Sequence, residues 1–260
     1  MIKIRGLCSG YPAYPVLKSV DLDVAEGNVT VIVGPNGCGK STLLKTLVGI
    51  VSKTGGELWI RDEHRNTSDD FVSLDSLTTQ QRAQKIAYLA QSKQVPEITA
   101  LRMVLHGRFP YLGYPRRYRP EDLEIARRCL NRMGVGDLAD RPMNTLSGGT
   151  RQKVYIAMAL AQDTSVILMD EPTTFLDVSY QLEMMAHAKE LSNSGRSVVM
   201  VLHDLPMALE YADHLVVMDE GKIVFAGKPE DVYSDGCLDR VFGVTVNRVE
   251  TKDGWKYYCV

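Results

Sequence analysis

What the 260-residue chain lacks narrows the field first. Apolar runs such as Val198 to Leu202 stop well short of the roughly 18 residues that a membrane-spanning helix needs. The opening Met1-Ile-Lys-Ile-Arg-Gly has no signal-peptide core, so the expectation is a chain that does not enter a bilayer alone. Neither sign of charge prevails: 30 Lys and Arg face 32 Asp and Glu, for a net charge of −2. No broad field therefore favours a nucleic-acid backbone, and nucleic acid is excluded as a general partner. Cys8, Cys38, Cys129, Cys237 and Cys259 are scattered, with no C-x-x-C pair and no neighbouring histidine cluster. Five histidines without metal-like spacing exclude a zinc site, and a reduced cytosolic chain fits best. What remains, 45% apolar residues with 21 Gly and 11 Pro, is the composition of an ordinary globular protein.

The patterning predicts an α/β fold. Val29 to Val33, Val166 to Met169 and Val198 to Leu202 are unbroken apolar runs, as in strands of a parallel sheet buried on both faces. Helical patterns at Ser41 to Val48, Arg151 to Ala161 and Ser179 to Leu191 supply the crossovers, the last stopped by Gly195. Leu215 to Met218 and Ile223 to Ala226 flank the turn Asp219-Glu-Gly-Lys222 as a hairpin. Near the N-terminus, Ile2, Ile4, Val20, Leu22, Val24, Leu58 and Ile60 alternate with polar residues, which predicts an antiparallel β sub-lobe. Residues 61–80 are polar and suit an exposed connection. From 91 to 146 the pattern is mainly helical, with one helix from Pro120 to Met133 whose apolar face carries Leu123, Ala126, Leu130 and Met133. The expected architecture is one domain, with 1–90 and 147–260 forming the core and β sub-lobe and 91–146 an inserted helical sub-lobe.

Gly34-Pro35-Asn36-Gly37-Cys38-Gly39-Lys40-Ser41-Thr42 follows a predicted strand and opens a predicted helix, the context of the phosphate-binding loop G-x-x-x-x-G-K-[ST]. The glycines let backbone N–H groups turn inward, the helix start adds positive charge, Lys40 reaches β- and γ-phosphates, and Ser41 can ligate Mg²⁺. Cys38 lies beside that helix start, which predicts a lowered thiol pKa. No N-K-x-D element for guanine is present. Val166-Ile-Leu-Met-Asp170-Glu171 instead ends an apolar strand with two carboxylates. Asp170 suits the metal's water shell and Glu171 suits polarising an attacking water. Leu146-Ser147-Gly148-Gly149-Thr150 precedes the helix at Arg151, offering a second anion-binding helix start or an ordinary serine cap after a glycine turn.

In this order, Tyr11, Gly34 to Thr42, Gln91, Leu146 to Thr150, Val166 to Glu171, Leu176-Asp177 and His203 resemble the ATPase subunit of an ATP-binding cassette transporter over nearly the whole chain. The resemblance implies a P-loop NTPase core and roles by position. Tyr11, with Tyr14 as rival, would stack on adenine. Gln91 would touch Mg²⁺ and the attacking water, His203 the γ-phosphate, and Asp177 would lie in the loop that crosses the dimer interface, unless it is only a helix cap. Ser147, Gly148 and Gly149 would hold the nucleotide of a second copy. Thr150 stands where the family usually has Gln or Glu, which implies altered dimer-face contacts. The expected cycle is a homodimer closing on two ATP molecules and opening after hydrolysis, coupled to separate transmembrane permease subunits. His106-Gly-Arg-Phe-Pro-Tyr-Leu-Gly113, Gln152 to Gln162 and His203 to Leu209 resemble the ATPases of iron-siderophore, haem and vitamin B12 importers. A periplasmic or lipid-anchored binding protein would then serve indirectly, and the chain would sit at the cytoplasmic membrane face. The alternatives are an ATPase of another importer or an exporter, a non-transport cassette ATPase, or a small-molecule kinase.

Overall fold

The computed structural model describes residues 1–12, 14–62, 70–91, 95–174, 176–252 and 254–260; part of the polar stretch 61–80 and Phe175 lie outside them. In chain order the elements are β1 (Ile2–Tyr11), β2 (Tyr14–Val24), β3 (Val29–Val33), α1 (Lys40–Leu47), β4 (Lys53–Arg61), β5 (Phe71–Ser73), α2 (Thr79–Ala83) and β6 (Ile86–Leu89). There follow α3 (Ala100–Leu105), α4 (Pro120–Arg132), α5 (Gly148–Ala161), β7 (Val166–Asp170), α6 (Val178–Asn193), β8 (Ser197–Val201) and α7 (Leu205–Tyr211). The chain closes with β9 (His214–Asp219), β10 (Lys222–Gly227), α8 (Pro229–Asp235), α9 (Cys237–Phe242), β11 (Val246–Thr251) and β12 (Gly254–Cys259).

A six-stranded sheet runs β10-β9-β3-β8-β7-β6, parallel except for β10, which pairs antiparallel with β9 as the hairpin reading expects. Because successive side chains point to opposite faces, each central strand feeds two cores. Val29, Val31, Val33, Ile167, Met169, Val198 and Met200 face the helices. Ile32, Val166, Leu168, Val199 and Val201 face α1 and a second, antiparallel sheet, β2-β1-β4-β5. Every residue of β3, β7 and β8 is buried, which is why these segments read as continuous apolar runs. The ends of β3, β7 and β8 therefore form a rigid floor under the loops that follow them.

Three expectations change, and one element was not expected at all. The stretch 61–80 is not simply an exposed connection: Phe71–Ser73 adds the edge strand β5, and Val72 and Leu74 are buried. A three-residue strand with a single buried apolar position gives too little alternation to read in the sequence. In α4, Leu123 is exposed, and the buried face runs through Asp122, Ala126, Leu130 and Met133. Asp122 is there because its carboxylate takes Nε–H from Arg108 at 3.0 Å and the backbone N–H of Arg119 at 2.9 Å, so a charge occupies a core position already neutralised. Gly148 and Gly149 do not precede the helix at Arg151 but form its first turn, capped by Ser147. The C-terminal hairpin β11–β12 packs on α7 and buries Tyr257; no sequence pattern announced it. Within the helical layer, α5 packs against α3 and α4, so it shares the core of segment 91–146.

Candidate nucleotide site

The loop after β3 enters α1 through Gly39, whose φ of 110° lies in the left-handed region that a side chain disfavours. No side chain caps α1, so the amides of its first turn are left without a capping oxygen. Lys40 is buried, and its Nζ donates to the carbonyls of Gly34 at 2.6 Å and Pro35 at 2.9 Å. Asn36 and Gly37 are exposed at the tip, while Cys38 and Thr42 are buried. A bare helix start beside a buried ammonium is a cradle for an anion of phosphate size and charge.

Two strand ends deliver the acids beside it. Ser41 Oγ donates to Asp170 Oδ1 at 2.7 Å, and Tyr88 Oη donates to Asp170 Oδ2 at 3.0 Å. A hydroxyl and a carboxylate held together beside the phosphate cradle are the hard oxygen donors that Mg²⁺ takes. Glu171 has φ 51°, a left-handed conformation costing an L-residue about 1–2 kcal/mol, and that twist aims its side chain away from the course of β7. Both its oxygens are engaged. Gln91 Nε2 donates to Oε2 at 2.5 Å, Thr174 Oγ1 donates to Oε2 at 3.2 Å, and His203 Nε2 lies 2.7 Å from Oε1. Gln91, Glu171 and His203, 112 positions apart at their extremes in the numbering, thus meet at one carboxylate.

The remaining predicted residues gather elsewhere. Ser147 Oγ accepts the N–H of Thr150 at 3.2 Å and lies 2.8 Å from Thr150 Oγ1. Asp177 caps α6, accepting Tyr180 N–H at 3.1 Å and Ser179 Oγ–H at 2.8 Å, and these bonds hold its carboxyl below the usual range. The two caps share Tyr180: a Cβ on Gly149 would stand 2.5 Å from that ring, so only glycine lets α5 and α6 approach this closely. Gly148 has open space before it. Among the described residues no hydrogen bond joins this second cluster to the phosphate loop or to Glu171. Tyr11, half-exposed, pairs with Tyr14 at the hairpin end and lines a cleft of about 440 Å³ with Ile50 and Val51.

A family model described as ABC transporter matches residues 17–174. The chain belongs to the ABC transporter family. It is 38% identical to the ferric enterobactin transport ATP-binding protein FepC of Escherichia coli (strain K12), over 93% of this chain and 88% of that one. The hemin import ATP-binding protein HmuV of Rhodococcus jostii (strain RHA1) is 39% identical over 91% of this chain and 77% of its own. Among solved structures, the dimeric post-hydrolysis state of the ATP-binding cassette MJ0796 with ADP and Pi superposes with a TM-score of 0.74, at 30% identity, covering 88% of this chain and 99% of that one. The chain is therefore an ATP-hydrolysing ABC transporter subunit with the P-loop α/β fold.

In this ABC subunit the structure adds residues that the sequence did not single out. Tyr88 and Thr174 hold Asp170 and Glu171, and Tyr180 ties Gly149 to Asp177. Burial, reinforced by the Asp170 carboxylate, pushes the Tyr88 hydroxyl far above its ordinary pKa, so it stays a neutral donor. The only signal in the sequence was its place three residues before Gln91. Cys38 is corrected in sign: burial raises its thiol pKa, and the Lys40 ammonium only partly opposes this. Thr150 acts first on the cap, through the Ser147 hydroxyl. No helix among the described residues is long and apolar enough to cross a membrane.

Proposed function

We propose that two copies of this chain sandwich two ATP molecules, each held between the phosphate loop of one copy and the Ser147-Gly148-Gly149 helix start of the other, to drive import of an iron-chelate, haem or cobalamin-type substrate through a separate permease. The observation that supports this reading is the split of the site: one cluster has an uncapped helix start, a lysine and two acids, while the other has a helix start closed by Ser147 with Gly148 open beside it and, among the described residues, no hydrogen bond to the first. The dimeric cassette with ADP and Pi is a relative in which two copies associate. The relatives named for ferric enterobactin and hemin support the substrate class.

In the proposed mechanism the amides of Gly37 to Thr42 and the ammonium of Lys40 take the β- and γ-phosphates, replacing the Gly34 and Pro35 carbonyls as its partners. Tyr11 lies against the base. Ser41, Asp170 and Gln91 would hold Mg²⁺, which when bound offsets charge on the phosphate oxygens. Glu171 accepts a proton from the attacking water once one of its oxygens is released by Gln91 or His203, and His203 then faces the γ-phosphate. Asp177 lies in the crossing loop. The permease would dock on the cleft of about 490 Å³ beside Tyr111, Gln84 and Leu77. There Gln80 and Gln84 both donate to the Pro110 carbonyl and fix the turn His106–Tyr111. The chain would then sit at the cytoplasmic membrane face, with a periplasmic or lipid-anchored binding protein as an indirect partner.

The test is Glu171→Gln. Hydrolysis should fall by about 10² to 10⁴ while ATP binding persists, and the ATP-saturated variant should elute as a dimer. A variant that remains monomeric, alone and with its permease, would overturn the sandwich.

A further inference from the structure

Between α4 and the end of α5 lies a cavity of about 360 Å³ lined by four arginines from three separate parts of the chain. Arg128 and Arg132, one turn apart on α4, line one wall; Arg108 comes from the turn after α3 and Arg196 from the loop before β8. Arg108 is committed to Asp122 and to the Ala161 carbonyl, at 3.0 and 2.9 Å. Arg196 meets Asp163 at 3.0 Å, but that carboxylate is 69% exposed and so is itself well hydrated. Arg128 and Arg132 have no carboxylate within ion-pair distance among the described residues. Arg108 and Arg196 are already offset by Asp122 and Asp163, so the uncompensated charge on this hollow is that of Arg128 and Arg132, which an entering anion would neutralise. Burial raises the pKa of the Cys129 thiol, on the same wall; Arg128, Arg132 and Arg196 oppose that rise and Asp163 adds to it, so the lining charges act on one point with the arginines of α4 foremost.

We propose that this cavity binds a phosphate-bearing small anion, its phosphate gripped by Arg128 and Arg132 and its body lying on Ile125 and Leu160. Guanidinium forks match a phosphate's tetrahedral oxygens bidentately, and the volume is at the small end of ligand sites, larger than a bare phosphate needs. The anion can come from solution, as a phosphomonoester, or from a membrane, as a lipid headgroup. The chain's near-zero net charge excludes a diffuse electrostatic attraction, so binding depends on this local geometry. Occupancy would also compete with Asp163 for Arg196, and Asp163 lines the permease-facing cleft as well, which links the two hollows.

Cys129 is a built-in reporter. With ADP and Mg²⁺ saturating the nucleotide site, iodoacetamide alkylation of Cys129 is followed by peptide mass mapping at mildly alkaline pH, with glycerol 3-phosphate or phosphatidylglycerol vesicles added and phosphatidylcholine vesicles as the control. Protection of Cys129 but not Cys8 is the expected result. Each guanidinium removed, in Arg128→Ala and Arg132→Ala, should raise the concentration needed by about tenfold. Arg128→Lys, which keeps the charge but not the fork, should lie between. Both arginines are exposed and outside the catalytic groups, so basal ATPase should persist in these variants and verify folding. Protection by the soluble ester assigns a free phosphomonoester; protection by the anionic vesicles alone assigns a headgroup. No protection by either, or equal protection in the double variant, overturns the site.

Discussion

Two helix starts in this molecule carry similar glycine-rich sequences and end in opposite states. At α1 the cap is Gly39, no side chain closes the turn, and a buried lysine stands beside it. At α5 the hydroxyl of Ser147 closes the turn, with Thr150 as its partner. The first has room to receive an anion within its own chain, because no side chain supplies a capping oxygen to the amides of its first turn. At the second, Ser147 already accepts one of the first-turn amides, so what it offers beyond its own chain is exposed Gly148 and the remaining hydrogen-bonding capacity of the serine hydroxyl. A glycine-rich helix start is thus not one device but two, told apart by whether its own chain supplies the capping oxygen.

The comparison is open to attack at four points, in order of expected effect. Lys40→Ala should weaken nucleotide binding by the isolated subunit about 10- to 100-fold in equilibrium titration, since a charge-assisted contact is lost; unchanged affinity would remove α1 as the primary cradle. Gly149→Ala should push the new methyl into the Tyr180 ring and cost about 1–3 kcal/mol in denaturant unfolding despite alanine's better helix propensity, lowering hydrolysis while monomer affinity holds. Ser147→Ala should cost about 1 kcal/mol of stability by loss of the cap and leave monomer nucleotide affinity unchanged. A fall in that affinity would mean that α5 serves its own chain. Cys38, finally, should react slowly with maleimide at neutral pH and faster as pH rises, because a raised pKa keeps the thiol protonated; ATP should slow it further.

Much of this was legible because the chemistry is local. The phosphate loop, the Asp170-Glu171 pair and the Ser147 helix start each lie within a few residues, and strands buried on both faces advertise themselves as apolar runs. What escaped depends on contacts between distant segments. Tyr88 matters because β6 lies beside β7, which brings its hydroxyl to Asp170. Tyr180 matters because α5 lies on α6. Asp122 displaced Leu123 from the expected face of α4 because Arg108, from another turn, neutralised it. The sign of the Cys38 shift failed for the same reason: a helix start argues for a thiolate, and burial, invisible in the sequence, outweighs it.

The grip on Glu171 has one more consequence. Its two oxygens are tied to Gln91, just past the end of β6, and to His203, just past the end of β8, the strands on either side of β7. If Glu171 is the proton acceptor proposed above, a solitary subunit is an engine with its clutch out, that acceptor parked between two latches. Because those latches hang from the strands on either side of β7, on the proposed reading only a reordering of the loops beyond the sheet would slip one of them, and fuel would be burned only when there is a load to move.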